Sequence, residues 1–338
     1  MSDLVSTLKS KFDNATVLTD PEDMAKYVTD WHGKLTGKAL AVVRPTNTED
    51  VAAVVKLAFE HGSPIVPQSG NTGVAGGSVP DDSGAAIVLS LERMNKVRDI
   101  SPAAMTMTVE AGCVLEFLHE TVEAQDLFFP LNFGAKGSCM IGGNLATNAG
   151  GQNVVRYGNT RELCLGIEAV LPDGRIVNLL SGLRKDNTGY DLRDLFIGSE
   201  GTLGVITAAT MKLFHLPKAR ATTFAVVPDI TRGLELLNRA QAETGGAVEA
   251  FELIPRVFLE IIQQHAPQHN IPFAEIPELC VLIEIAATSD AEAVADIEGI
   301  VPIAAKLEKI LASGFDDGLV LDAVIASSEA QRQEMWDM

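Results

Sequence analysis

The chain opens on apolar positions at helical spacing, Leu4, Leu8 and Phe12, which predict a leading helix followed by a loop around Asp20-Pro21-Glu22-Asp23. Residues 39–44 are a short apolar run stopped by Pro45, which fits a strand because proline cannot continue a ladder. Thr46-Asn47-Thr48-Glu49 then reads as a capping box, with Val51, Val54, Val55 and Ala58 on one helical face until Gly62 ends the helix. A strand at Ile65-Val66 and another over 85–90 follow, and residues 105–110 alternate as a half-exposed strand. A helix over 114–124 carries Val114, Leu118 and Val122 on one face. Runs at 165–171 and 175–179 flank the turn Pro172-Asp173-Gly174-Arg175 and predict a hairpin, and a further strand runs through Lys212-Leu213-Phe214.

Past Pro217 glycine thins out and the pattern changes. Strands over 222–227, 248–254 and 280–286 alternate with helices over 230–243, 255–264 and 290–297, the first of these with Ile230, Leu234 and Leu237 on one face. That alternation predicts an antiparallel sheet covered by helices and a domain boundary near residue 218. A last helix begins at the capping box Ser328-Glu329-Ala330-Gln331 and continues to Met338.

With 338 residues the chain has room for two or three ordinary domains. Its hydrophobic content of 46% is that of a globular protein, and no apolar run approaches the roughly 18 residues needed to span a bilayer. The net charge of −19 disfavours a nucleic-acid partner. The first ten residues show no secretory signal, so the expected compartment is the cytoplasm. Four cysteines, Cys113, Cys139, Cys164 and Cys280, form no C-x-x-C pair and read as core thiols, with Cys139 singled out by its glycine-rich surroundings as a conceivable covalent anchor. His265 and His269 stand four apart, but Pro267 between them spoils a helical metal face, so no metal site is expected.

The chemistry is concentrated in three glycine-rich segments. The first, Pro67 to Ser78, has five Gly or Pro in twelve positions, and its Gln, Ser, Asn and Thr residues supply neutral donors; such a loop can fold tightly around an anion, a phosphate or pyrophosphate being the best guest. It lacks the lysine of a P-loop, and no G-x-G-x-x-G opens a helix. The second spans 130–151 and the third centres on Gly201. Any one of them alone reads as readily as a tight connection.

Together the segments resemble the FAD-binding proteins of the vanillyl-alcohol-oxidase type, in the branch of D-2-hydroxyglutarate, D-lactate and glycolate dehydrogenases. The resemblance rests on P-x-S-G-N-T-G at 67–73, G-G-N-x-A-T-N-A-G-G at 142–151, R-K-D-N-T-G-Y-D-L at 184–192 and G-S-E-G-T-L-G-V-I-T at 198–207, and covers roughly residues 35–338. It implies an α+β fold: a two-lobed FAD-binding domain (PCMH-type) over 1–217, with the cofactor between its lobes, and a C-terminal α+β cap domain over 218–338, apparently truncated, that closes over the isoalloxazine. By position, Pro67, Gln68, Ser69, Gly70, Asn71, Thr72 and Gly73 would wrap the FAD pyrophosphate, with Ser78 assisting. Pro130, Gly134, Ser138, Ile141, Gly142, Gly143 and Asn144 would line the isoalloxazine and ribityl side, with Thr147 and Asn148 nearby. Glu200, Gly201, Gly204 and Ile206 would lie along the cofactor, the last two on the adenine side.

The implied reaction is oxidation of a small D-2-hydroxy acid to the 2-oxo acid on non-covalent FAD. D-2-hydroxyglutarate is the first substrate, then D-lactate or glycolate. The electron acceptor would be a quinone or an electron-transfer flavoprotein, and a homodimer is an assembly compatible with the resemblance. The chain also departs from the pattern. The family's substrate-binding Arg, expected just beyond a segment like Met335-Trp336, and its histidines and Glu for catalysis and a divalent metal have no counterpart here, and Arg184-Lys185-Asp186 has no assigned role. The alternative expectation is therefore a non-catalytic FAD-binding subunit or fragment that needs a partner chain.

Overall fold

A computed structural model describes residues 2–293 and 301–338. The chain forms two compact units: one runs from the N-terminus to Gly151 and from Asn159 to Phe214, the other comprises Gln152–Gly158 and His215–Met338.

The first unit holds two main sheets. In the four-stranded one the order is Val17–Leu18, Ala39–Val43, Ala86–Ser90, Ile65–Gln68. Ala39–Val43 and Ile65–Gln68 both run parallel to Ala86–Ser90, as a strand–helix–strand crossover requires. The crossover helix is Thr48–Glu60, capped by Asn47, whose side chain accepts from the Asp50 N–H. The predicted box is thus shifted one residue, with Asn47 rather than Thr46 in the cap. Val51, Val54, Val55 and Ala58 are buried against Val43, Ile87 and Leu89, and Leu4 and Leu8 of the leading helix Ser2–Lys11 close the same core. The expected loop after Asp20 is instead the helix Pro21–Val28, for which Asp20 is the N-cap and Pro21 the first residue.

The second sheet is antiparallel throughout, ordered Val97–Ser101, Thr106–Glu110, Val205–Lys212, Cys164–Val170, Ile176–Leu179. Its last two strands are the predicted hairpin. Thr106–Glu110 is not half exposed: it lies between two neighbours and only Thr108 escapes full burial. The polar residues that suggested solvent have partners there; Thr108 and Thr210 hydroxyls meet at 3.1 Å, and Glu110 accepts from the Lys96 N–H at 3.1 Å.

The second unit is a four-stranded antiparallel sheet, Val248–Pro255, Leu279–Ala287, Ala219–Val226, Asp322–Ile325. Helices Ile230–Thr244 and Ile303–Asp316 pack on one face through Leu236, Ala240, Leu307 and Ile310. Arg256–His265 and Glu329–Trp336 contribute Leu259 and Met335 to the other face, around Phe224 and Leu282. The expected apolar face of the Ile230 helix is corrected: Ile230 and Leu234 are 58% and 54% exposed, whereas Gly233, Leu236 and Ala240 are buried. Leu236 carries this interface with Ala240 and Gly233, the last facing Val227 and Val281. Of the helix expected over 290–297, Asp290–Ala293 is seen and residues 294–297 lie outside the described residues.

No described helix is long and apolar enough to cross a membrane. Among the described residues, no group of three or more His, Cys, Asp or Glu is placed to hold a metal ion.

Candidate functional site

The three glycine-rich segments converge within the first unit on one cavity of about 450 Å³. The first leaves the sheet at Gln68 and is held by its own polar side chains. Gln68 Nε2 donates to the carbonyls of Tyr27 and Ser78, both at 2.8 Å, pinning the loop at both ends. Asn71, in the left-handed region at φ 50°, donates to the Thr29 carbonyl at 2.8 Å and accepts from the Ser78 hydroxyl at 2.7 Å. The neutral side chains read from sequence as donors to a ligand are thus largely committed to loop geometry. The backbone supplies the remaining donors: residues 70–75 all line the cavity, and among the described residues none of their N–H groups donates to a protein acceptor.

The core of the second segment is the short helix Ile141–Ala146. Gly142 is required by close approach, since a Cβ there would lie 2.6 Å from Ala111 Cβ; Gly143 faces Ser69, with a Cβ 3.2 Å from Ser69 Cβ. These contacts bring the second segment against the first. The third is tied to the second through backbone: Gly198 N–H donates to the Leu145 carbonyl at 3.0 Å, and Glu200 N–H to that of Ala146 at 2.9 Å. Glu200 takes φ 52°, and Gly201, at φ 80°, packs on Pro67. Two non-glycine residues held left-handed in one cavity wall mark a geometry maintained at a cost of order 1–3 kcal/mol each.

Of the residues singled out in the sequence, Pro67, Gln68, Ser69, Gly70, Asn71, Thr72, Gly73, Ser78, Gly142, Gly143, Asn144, Thr147, Glu200, Gly201, Gly204 and Ile206 line the cavity. Pro130, Gly134, Ser138, Ile141 and Asn148 do not. Ile141 is fully buried in the core, and Asn148, at φ 48°, accepts the Arg161 N–H at 2.9 Å behind the wall. Leu91, Phe133, Met140 and Val205 add apolar surface that sequence reasoning missed. Phe133, Met140 and Val205 sit inside or beside the motifs, whereas Leu91 carries no local signal.

Cys139 is buried and does not line the cavity. Burial pushes its thiol pKa up despite a 3.6 Å contact from Asn144 Nδ2, so it behaves as a packing residue.

The second unit carries a buried ionic cluster that the sequence did not announce. Glu284 accepts from Arg332 Nε and Nη2 at 2.7 and 2.9 Å, from Trp336 Nε1 at 2.9 Å and from Thr222 Oγ1 at 2.7 Å. Burial alone would raise its pKa, but these donors outweigh it and hold the carboxyl below the usual range. Glu249 is bound by Arg220 at 3.1 Å, Arg156 at 3.3 Å and the Tyr157 hydroxyl at 2.7 Å. Burial, reinforced by the Glu249 charge, pushes the Tyr157 phenol up, so it remains a donor. His265, at a helix C-terminus, and the exposed Arg184 and Lys185 join neither cluster.

The cavity has an apolar portion and a row of open N–H groups, and among the described residues its one charged lining side chain is Glu200. This donor set suits an extended ligand that joins a flat apolar body to a pyrophosphate bound through backbone amides. FAD fits that description.

Residues 39–180 match the model of an FAD binding domain and residues 216–338 that of the C-terminal domain of FAD linked oxidases. The chain is 40% identical over 322 residues to the mitochondrial D-2-hydroxyglutarate dehydrogenase of Rattus norvegicus, covering 95% of this chain and 57% of that protein. It is 38% identical over 318 residues to the D-2-hydroxyglutarate dehydrogenase of Xanthomonas citri pv. viticola, covering 94% of this chain and 64% of the relative. The solved structure of an alkyldihydroxyacetonephosphate synthase shares the fold, with a TM-score of 0.75 at 19% identity, over 100% of this chain and 67% of that one. The chain thus spans about three fifths of the curated relatives it matches.

Proposed function

Since this chain belongs to the FAD-linked oxidases, with an FAD binding domain followed by their C-terminal domain, we propose that it is the FAD-holding portion of a dehydrogenase that oxidises a D-2-hydroxy acid to the 2-oxo acid. The observation that carries the reading is the cavity walled by three glycine segments, with the N–H groups of residues 70–75 open along it. D-2-hydroxyglutarate is the first substrate, supported by the names of the relatives, with D-lactate and glycolate next. The acceptor is a quinone or an electron-transfer flavoprotein.

Bound non-covalently, FAD supplies a two-electron acceptor for the hydride leaving the substrate α-carbon. The chain's own residues bind and orient. The amides of residues 70–75 take the pyrophosphate, and Asn144, 4% exposed on the cavity wall, has its side-chain amide turned to Cys139 Sγ at 3.6 Å and so shapes the wall. Leu91, Phe133, Met140, Val205 and Ile206 exclude water from the apolar portion. None of the residues in this wall is assigned as the base for the hydroxyl proton.

The second reading is a non-catalytic FAD-binding subunit or fragment, favoured by the 57% coverage of the rat relative. Anaerobic titration separates the two. Apoprotein that takes up FAD and is bleached by D-2-hydroxyglutarate, D-lactate or glycolate is the dehydrogenase. Flavin that binds and stays oxidised under all three marks the subunit. Failure to take up FAD removes both readings.

A further inference from the structure

Resting on the flavin-binding reading above, we infer that the Glu200 carboxylate accepts hydrogen bonds from adjacent hydroxyls of a sugar unit that flanks the FAD pyrophosphate. Glu200 occupies a turn that does not favour it. The Thr202 N–H donates to the Ser199 carbonyl at 3.0 Å and its hydroxyl donates to the same oxygen at 2.6 Å, while the two residues between take φ 52° at Glu200 and φ 80° at Gly201. Positive φ at both central positions is the pattern of a type I′ turn, for which Gly, Asn and Asp are the residues of least strain. A glutamate there costs backbone energy that a glycine would not, which points to its side chain, rather than the turn, as the reason for the residue.

The carboxylate faces the ligand space. Glu200 is exposed and lines the cavity, and among the described residues its side chain has neither an ion pair nor a hydrogen bond, although the chain contains 26 Lys and Arg. The turn itself is anchored, with the Glu200 N–H on the Ala146 carbonyl at 2.9 Å and Gly201 against Pro67. A Cβ added to Gly77 would lie 3.2 Å from Glu200 Oε2, so the carboxylate reaches the end of the first segment, just past the open amides of residues 70–75. An ionised carboxylate can only accept, and it repels a neighbouring pyrophosphate. Its partner in such a ligand is therefore an uncharged donor close to the phosphates. FAD carries such donors on both sides, the ribose diol of adenosine and the hydroxyls of the ribityl chain, whereas the N–H groups of its ring systems lie a whole sugar further away. Two carboxylate oxygens match two adjacent hydroxyls.

The test uses the full chain as apoprotein, titrated with FAD and, in competition, with ADP, 2′-deoxy-ADP and FMN. Glu200→Gln is expected to weaken FAD by about tenfold or more, because hydrogen bonds to a charged acceptor are lost. Repulsion alone predicts the opposite sign, a tighter complex. Glu200→Gly relaxes the turn, so it is expected to raise the apo melting temperature while weakening FAD as much. With the ribose as partner, wild type binds 2′-deoxy-ADP about tenfold less tightly than ADP, and Glu200→Gln binds the two within about twofold. With the ribityl chain as partner, Glu200→Gln weakens FMN as it does FAD and leaves ADP within about twofold. Either pattern supports the inference. Unchanged or tighter FAD binding in Glu200→Gln overturns it, as does equal weakening of ADP, 2′-deoxy-ADP and FMN, which marks a distorted site, or a Glu200→Gly variant that loses melting temperature together with FAD. A wild-type chain that takes up no FAD removes the functional reading itself, a result distinct from a defect confined to the variants.

Discussion

Gly201 stands against Pro67: a Cβ added to Gly201 would lie 2.9 Å from Pro67 Cγ, on a backbone already at φ 80°. The two residues belong to the third and first glycine segments, so one missing methyl group sets how closely two walls of the cavity meet. Gly201→Ala is expected to destabilise the chain by ~1–3 kcal/mol through its left-handed backbone and the clash. FAD uptake should fall with it. Urea unfolding and fluorescence titration measure the two effects, and a variant with wild-type values in both would contradict this account of the contact.

The Glu284 cluster predicts acid sensitivity with a definite sign. Burial raises the carboxyl pKa, but Arg332, Trp336 and Thr222 lower it further, so the folded value lies below the unfolded one. The stabilisation is fully present above the ordinary carboxylate pKa of about 4.3 and is lost as pH falls through the lower folded value. Glu284→Gln removes the buried charge that Arg332 and Arg220 face, leaving Arg332 the exposed Glu329 at 2.8 Å, and is expected to cost ~1.5–3 kcal/mol at neutral pH. Wild type and variant should converge only as pH falls through that lowered folded value, where the native carboxyl is itself protonated. Circular dichroism of denaturant unfolding from neutral to acid pH checks it; parallel curves would refute the assignment.

Cys139 lies outside the cavity lining with its thiol pushed up, which predicts that flavin is released completely on denaturation. Acid precipitation of the holoprotein should leave all yellow colour in the supernatant, and Cys139→Ala should retain FAD as wild type does. Flavin remaining with the pellet in wild type and lost in the variant would show a covalent link.

The Ile230–Thr244 helix offers a direct comparison of two leucines two positions apart. Leu236 is fully buried, so Leu236→Ala is expected to cost ~2–5 kcal/mol, whereas Leu234→Ala, at 54% exposure, should stay within about 0.5 kcal/mol. Equilibrium unfolding of both variants reads the difference.

That pair also shows where sequence pattern stops being informative. Spacing of large apolar residues pointed to Ile230 and Leu234 because a periodicity argument gives little weight to Gly233 and Ala240, which with Leu236 form the face that is buried. The glycine segments were legible for the opposite reason: their backbone requirements are written into residue type, as at Gly142 against Ala111. The donors were less so. Gln68, Asn71 and Ser78 looked like ligand contacts, and only their partners Tyr27 and Thr29, more than 40 residues away, show that they shape the loop. Glu284 had no local signature, since what distinguishes it is the charges that long-range folding brings beside it.

The segment Gln152–Gly158 belongs to the unit formed otherwise by His215–Met338, and through Arg156 and Tyr157 it supplies two of the three groups that hold Glu249. This unit is therefore discontinuous in the gene. A cut at residue 215 would yield a polypeptide with the complete sheet but with Glu249 bound by Arg220 alone, a buried carboxylate deprived of most of its neutralisation. Dissection or domain exchange with this chain must carry seven residues from its middle to transplant its C-terminal unit intact.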